Sequence, residues 1–203
     1  TTRTSNSGIT GTAVSKANQI PYNFVTCSQA QKLASGMADG TNKTGSLLFG
    51  IQWDLTCKFL EKNSDLTKED IKTDSTRWGN YGNNSLTLIK GKYNIQPNNA
   101  NSIWKQYTED TVNYVVSSQT SSNTNYSELI TSGASEQTKK LNIYDLAGNM
   151  NEWTLEHTSI SDLPCTERGG LFFDEGSSYP ATFRGAFSTS YNYGDFGFRT
   201  TIY

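Results

Sequence analysis

The stretch Arg168-Gly169-Gly170-Leu171-Phe172-Phe173-Asp174 runs on through Phe183-Arg184-Gly185-Ala186-Phe187-Ser188 and Ser190-Tyr191-Asn192-Tyr193-Gly194-Asp195 to Gly197-Phe198-Arg199. Of the 9 Phe and 11 Tyr in the chain, ten lie between Arg168 and Tyr203. They alternate with Gly, Ser, Thr, Asn and Asp and form no apolar face of helical period. Phe and Tyr give wide contact area for little rotamer entropy, while Ser, Gly and Asn give adaptable hydrogen bonding. That mixture suits a binding surface carried on strands and loops. A core of strands joined by polar turns is the plainer alternative, and it accounts for some of these rings.

Outward from this stretch, composition narrows the class. A chain of 203 residues is most simply one domain, long enough to bury a sizeable core. Charged residues make up 18% and the net charge is −2, so there is no broad basic footprint for nucleic acid. No run of 18 apolar residues marks a membrane span, and the N-terminus lacks the pattern of a signal peptide. The first residue is Thr1 rather than Met, as in a processed product or a piece of a larger chain or assembly. Abundant Asn, Ser, Thr and Gly suggest an extracellular or virion-surface protein.

Cys27, Cys57 and Cys165 are too far apart for a metal knuckle or a Cys-x-x-Cys motif. Three is odd, so at least one thiol is free or paired with another chain; a Cys27–Cys57 bridge is conceivable. His157 is the single histidine, which excludes a His-rich metal site within one chain.

Residues 1–18 read as a flexible leader, and 19–203 as one domain. Ser28 is placed to cap a helix over 29–38 with Ala30, Leu33, Ala34 and Met37 on one face. A second helix is expected over 45–61, burying Leu48, Ile51, Leu55 and Phe59 and turning Asp54, Lys58 and Glu61 to water. Trp78 anchors a loop. Thr111-Val112-Asn113-Tyr114-Val115-Val116 reads as a weak strand and 117–125 as a low-complexity mobile segment. Helices come early and short strands late, which points to an α+β class.

Three motifs then stand in order: Asp145-Leu146-Ala147-Gly148-Asn149-Met150-Asn151-Glu152-Trp153, Arg168-Gly169-Gly170 and Gly197-Phe198-Arg199. Together they resemble the formylglycine-generating-enzyme branch of the C-type lectin fold. The resemblance implies two helices packed on short antiparallel strands with long irregular loops. Formylglycine-generating enzymes use a pair of cysteines in the C-terminal segment, yet no cysteine follows Cys165 here. The related sulfoxide synthases bind iron through several histidines, and this chain has one. A catalytic role is therefore not expected.

The stretch after Arg184 is similar to the variable proteins of diversity-generating retroelements, in which the segment between Arg-Gly-Gly and Gly-Phe-Arg is a hypervariable ligand-binding surface. Its diversified codons cannot specify Lys, Glu, Gln, Trp or Met. Between Leu171 and Phe196 only Glu175 lies outside the permitted set. The resemblance implies that Phe172, Phe173, Asp174, Phe183, Gly185, Ala186, Phe187, Ser188, Ser190, Tyr191, Tyr193, Gly194 and Asp195 contact the ligand, within a hypervariable segment over 168–199. Leu171 stands where the family usually has Ser. Phe172, Phe173, Phe187, Tyr191 and Tyr193 are expected to lie exposed and close together.

Asp145 and Glu152 flank a Gly-Asn turn, with the carbonyls of Gly148 and Met150 between them. Two carboxylates, two carbonyls and waters match the oxygen ligands that calcium takes. The resemblance points the same way, because the formylglycine enzymes bind calcium at the matching positions; a plain hydrogen-bonded turn is the alternative.

The sequence thus predicts a non-enzymatic domain displaying a diversified, aromatic-rich surface from a phage or bacterial surface. Its partner would be a protein or glycan ligand on a target surface, not nucleic acid, and this segment would not insert into a membrane. Two rivals remain. One is a formylglycine-type oxidase or its inactive relative; the other is a structural subunit of a phage tail or surface filament.

Overall fold

The computed structural model describes residues 11–94, 97–98, 103–106 and 128–203, together with the backbone of three short strands between 115 and 126. Residues 1–10 of the expected leader, 111–114 of the expected strand and much of the segment expected to be mobile lie outside the described residues. Val115–Val116 is a strand, paired with Leu86–Thr87.

Helix α1 spans Cys27–Gly36 and begins two residues before the expected start. Its cap is Thr26, not Ser28. The Thr26 side chain accepts from the Gln29 N–H, and the Gln29 side chain accepts from the Thr26 N–H. A reciprocal pair satisfies two orphan donors at once, which a lone Ser cannot do. The buried face is Ala30, Leu33 and Ala34.

The second helix departs further from expectation. Strand β1, Gly45–Leu47, takes the first residues assigned to it, and α2 spans Gly50–Asn63. Its buried side chains are Trp53, Cys57 and Leu60. Ile51, Leu55 and Phe59 are 66%, 60% and 50% exposed, so the expected core face points to solvent. Both triads have helical spacing, and Trp53 decides between them. Its indole N–H donates to the Ala181 carbonyl at 2.8 Å, and its rings fill the core with Cys57, Leu60, Leu66, Ile71, Trp78, Tyr81 and Leu146. Trp78 is buried, with its N–H donated to the Asp70 carbonyl.

The C-terminal half supplies the main sheet. Strand β2 is Asn151–His157, β3 is Cys165–Arg168, β4 is Arg184–Phe187 and β5 is Phe196–Phe198, in the order β4-β3-β2-β5. The β2–β3 and β3–β4 pairs are antiparallel. The β2–β5 pair is parallel, a departure from all-antiparallel pairing. The loop from Ser188 to Asp195 carries the chain across the sheet, so β5 enters in the direction of β2. Strand β6, Thr200–Ile202, pairs antiparallel with β1. Trp153 on β2 is buried against Val25, α1 and Phe196, and its N–H reaches the Val25 carbonyl at 2.8 Å. The class is α+β, with short helices on short, mostly antiparallel strands. Among the described residues no helix is long and apolar enough to cross a membrane.

Cys27 does not face Cys57. The Cys57 thiol is buried under α2, whereas Cys27 packs in the same apolar cluster as Cys165, within side-chain hydrogen-bond reach of it. All three cysteines are free.

Candidate functional site

The two ends of the 168–199 segment are fixed by buried charge. Arg168 is fully buried; its guanidinium meets Asp54 of α2 and Glu156 of β2, and lies 5.8 Å from the Trp53 ring. Arg184, at the start of β4, meets the same two carboxylates from outside. Gly169 and Gly170 follow with positive φ, and a Cβ on Gly170 would come 2.7 Å from the Tyr179 carbonyl. Only glycine makes that turn without strain. At the far end, Arg199 clamps Glu152.

Between these anchors the expected contact residues separate into two aromatic groups. In the first, Phe172 is 3% exposed and packs on Leu129, Met150 and Trp104, a correction to its expected exposure. Its neighbour Phe173 is 47% exposed and stands edge-on to it at 5.0 Å. Two consecutive rings on a turn cannot both face water when one of them can fill a hole in the core. Phe183 is half-buried and stands edge-on to Tyr179 at 4.6 Å.

The second group is a run of rings, Phe187 to Tyr191 at 4.3 Å and Tyr191 to Tyr193 at 4.7 Å. Phe187 and Tyr191 are half-buried and rest on Phe196, and Phe187 also reaches Trp153. They are the top of the core rather than free side chains, again short of the expected exposure. Tyr193 is the exposed end. Gly185 and Ala186 are half-buried on β4, and the hydroxyls of Ser188 and Ser190 share a hydrogen bond. Gly194 and Asp195 are buried; Asn98 accepts from the Gly194 N–H, and the Gly194 carbonyl accepts from the Asn23 side chain.

Asp174 is half-buried, and one of its oxygens accepts from the Leu171 N–H at 2.9 Å. Burial pushes its pKa up to about 6, with the Asp195 charge adding to the effect. Burial likewise raises Asp195. A third carboxylate belongs to this group and went unread in the sequence. Glu167, one residue before the Arg-Gly-Gly turn, is 2% exposed and lies opposite Gly185 in the β3–β4 register. Burial first, then the charges of Asp174 and Asp195, push it up to about 8, against a lowering by Arg168. Strand alternation is the signal that could have found it: with Arg168 turned to the α2 side, Glu167 must take the other face.

The turn expected to bind calcium is built differently. Asp145 accepts from the Thr138 hydroxyl at 2.6 Å and from the Gly133 N–H at 2.8 Å. Glu152 accepts two bonds from Arg199, whose Nη2 also donates to the carbonyls of Tyr144 and Asp145. Gly148 sits against Asn80, where a Cβ would come 2.2 Å from the Asn80 carbonyl, and Met150 is buried. As folded, neither carboxylate is free for a calcium ion: Glu152 is taken by the Arg199 guanidinium, and Asp145 by the Thr138 hydroxyl and the Gly133 N–H.

The sequence matches the sulfatase-modifying factor enzyme 1-like domain family over residues 50–202. Among solved structures, CarF is similar with a TM-score of 0.52 at 13% identity, over 89% of this chain and 66% of CarF. Treponema denticola variable protein 1 is similar with a TM-score of 0.51 at 13% identity, over 95% of this chain and 74% of that protein. The chain thus spans about two thirds of the length of CarF. No curated protein matches it by sequence. With 50–202 covered by the family and the expected lectin-type arrangement of helices and strands in place, the chain belongs to the sulfatase-modifying factor enzyme 1-like family and has its C-type lectin fold.

Proposed function

We propose that this chain is a non-enzymatic ligand-binding protein that presents residues 172–195 as a diversified contact surface on a bacterial cell or phage. The observation that carries this reading is the division of labour along 168–199. The segment's ends are held by Arg168 and Arg199 through partners outside it, on α2 and β2. Between them the exposed Phe173, Tyr193 and Ser190 bear little of that load. A scaffold of this kind lets contact side chains change at small cost in stability. The likeness in fold to a protein named as a variable protein supports the same reading, as does the absence of any cysteine after Cys165.

The test is genetic. A near-identical template repeat of the 168–199 coding segment, differing at adenines and lying beside a reverse-transcriptase gene, is expected in the flanking DNA. A neighbourhood without either would overturn diversification. Turnover of a cysteine-containing peptide in the presence of copper would instead favour the oxidase.

A further inference from the structure

Beside the two aromatic groups of the proposed surface lies a group of carboxylates, Glu167, Asp174 and Asp195, for which Arg168 is the one nearby cation among the described residues. Glu167 rises from β3 into the space above Gly185. A Cβ built on Gly185 would meet Glu167 Oε1 at 2.0 Å, so the carboxylate occupies the place a side chain at 185 would fill. Glu167 Oε2 and Asp195 Oδ1 are buried and, among the described residues, have no hydrogen-bond partner. Unpaired buried acceptors are costly and are rarely left without a role. Asp174, half-buried beside Phe173, completes the group on its open side.

From this arrangement we infer that the surface takes a protein ligand through a cationic side chain, a Lys ammonium or an Arg guanidinium, seated on Glu167, Asp174 and Asp195 between Phe173 and the Tyr191–Tyr193 rings. The inference rests on the ligand-binding reading above and specifies its ligand class. A cation held against Asp174, the partly exposed member, lies over the two buried carboxylates and offsets their charge, and the flanking rings offer their negative faces. A metal ion is a poorer match. Among the described residues no three acidic, His or Cys side chains converge tightly enough to share one. A guanidinium is several ångströms wide and can span carboxylates that a single ion cannot.

The electrostatics agree. The charged and titratable groups facing Glu167 are Asp174, Asp195 and Tyr191, with Arg168 beside it. Burial above all, with their mutual repulsion adding to it, holds protons on the patch until a cation arrives. Binding should therefore release a proton and tighten as pH rises, by up to about tenfold per pH unit below the pKa of the group that gives it up.

The probe is argininamide, compared with its neutral isostere citrullinamide, on the full chain with the Phe and Tyr ring signals followed by NMR. Argininamide is expected to shift the Phe173, Tyr191 and Tyr193 signals saturably, to bind about tenfold more tightly than citrullinamide, and to weaken as pH falls. Glu167→Gln and, as a second variant at the open edge, Asp174→Asn should each remove that preference. Equal binding of the two probes, no saturable shift with either, or affinity that does not change with pH would overturn the inference, as would a preference for a neutral oligosaccharide over both. The two readings fail separately. If Tyr193→Ala still abolishes attachment to the natural target while argininamide is ignored, only the cationic ligand is wrong. Should Tyr193→Ala leave attachment intact, the binding surface itself is misplaced.

Discussion

Arg199 grips Glu152 through Nε and Nη2, each 2.8 Å from a carboxylate oxygen, and the same Nη2 reaches the carbonyls of Tyr144 and Asp145. One guanidinium thereby ties the C-terminal Gly-Phe-Arg motif to the turn that opens β2. Both partners are largely sheltered, at 26% and 13% side-chain exposure. Removing one member of such a pair strands the other charge. Arg199→Met is expected to cost about 3 kcal/mol in a denaturant titration. Since the guanidinium supplies the cation, calcium and a chelator should both leave the melting temperature of the unaltered protein unchanged. A rise with calcium, which follows from any ligand that binds only the folded state, would show that Arg199 yields the turn to the ion.

Phe172 and Phe173 are adjacent in sequence and opposite in consequence. Phe172→Ala empties a space lined by Leu129 and Met150 and should destabilise by about 3 kcal/mol. Phe173→Ala removes a half-exposed ring and should change stability by only about 0.5 kcal/mol. If Phe173 anchors the target, the same change should weaken attachment by about 2 kcal/mol. Equal stability losses for the two variants would contradict their assigned places.

Glu167 gives the fold a pH dependence of defined sign. Its folded pKa is raised from 4.5 to about 8, so the folded chain holds a proton that the unfolded chain releases. Stability from this group is complete below the unfolded value and is lost as pH rises through about 8. Asp174, raised from 3.8 to about 6, works in the same direction over a lower range. Asp70, held well below the usual carboxylate range by Arg77, stays ionised throughout and masks nothing. Unfolding free energy should fall by roughly 2 kcal/mol or more between about pH 5 and pH 8. Glu167→Gln, which cannot ionise, should flatten the upper part of that slope, towards pH 8.

The thiols make a separate prediction. Cys27 donates to the Thr154 carbonyl at 3.7 Å and sits by Cys165, while burial pushes both Cys27 and Cys57 up to about 12. Under oxidised glutathione, thiol–disulfide exchange should join Cys27 to Cys165 and leave Cys57 reduced beneath Trp53 and Leu60. Peptide mapping without reductant reads this directly. A Cys27–Cys57 link would require α1 or α2 to move.

The parts of the fold legible in sequence were those whose residues have few alternatives. Trp153, Gly169-Gly170, Arg168 and Arg199 all lie in the motifs that the sequence singled out, and their places are tightly set because burying a charge or turning at positive φ leaves little choice. Helix α2 was misread because Ile51, Leu55 and Phe59, at i, i+4 and i+8, are as helical in period as Trp53, Cys57 and Leu60, at i, i+4 and i+7. Periodicity alone ranks neither triad, and the Ala181 carbonyl that selects Trp53 lies far along the chain. Phe172 was misread for a related reason: burial depends on a cavity made by Leu129 and Met150, which local sequence does not announce. Glu167 was overlooked beside the more recognisable Arg168, although strand alternation alone sends the two to opposite faces.

The close approach of Glu167 to Gly185 makes position 185 more than one contact among several. Any residue other than glycine there must expel the carboxylate from its seat, since 2.0 Å leaves no room for both. A single codon change would therefore do two things together: add a side chain to the surface and relocate a charge beneath it. Variants at 185 should accordingly combine non-additively with variants at Asp174 and Asp195, and glycine at this position sets whether the neighbouring letters are read over an acidic floor or over a rearranged one.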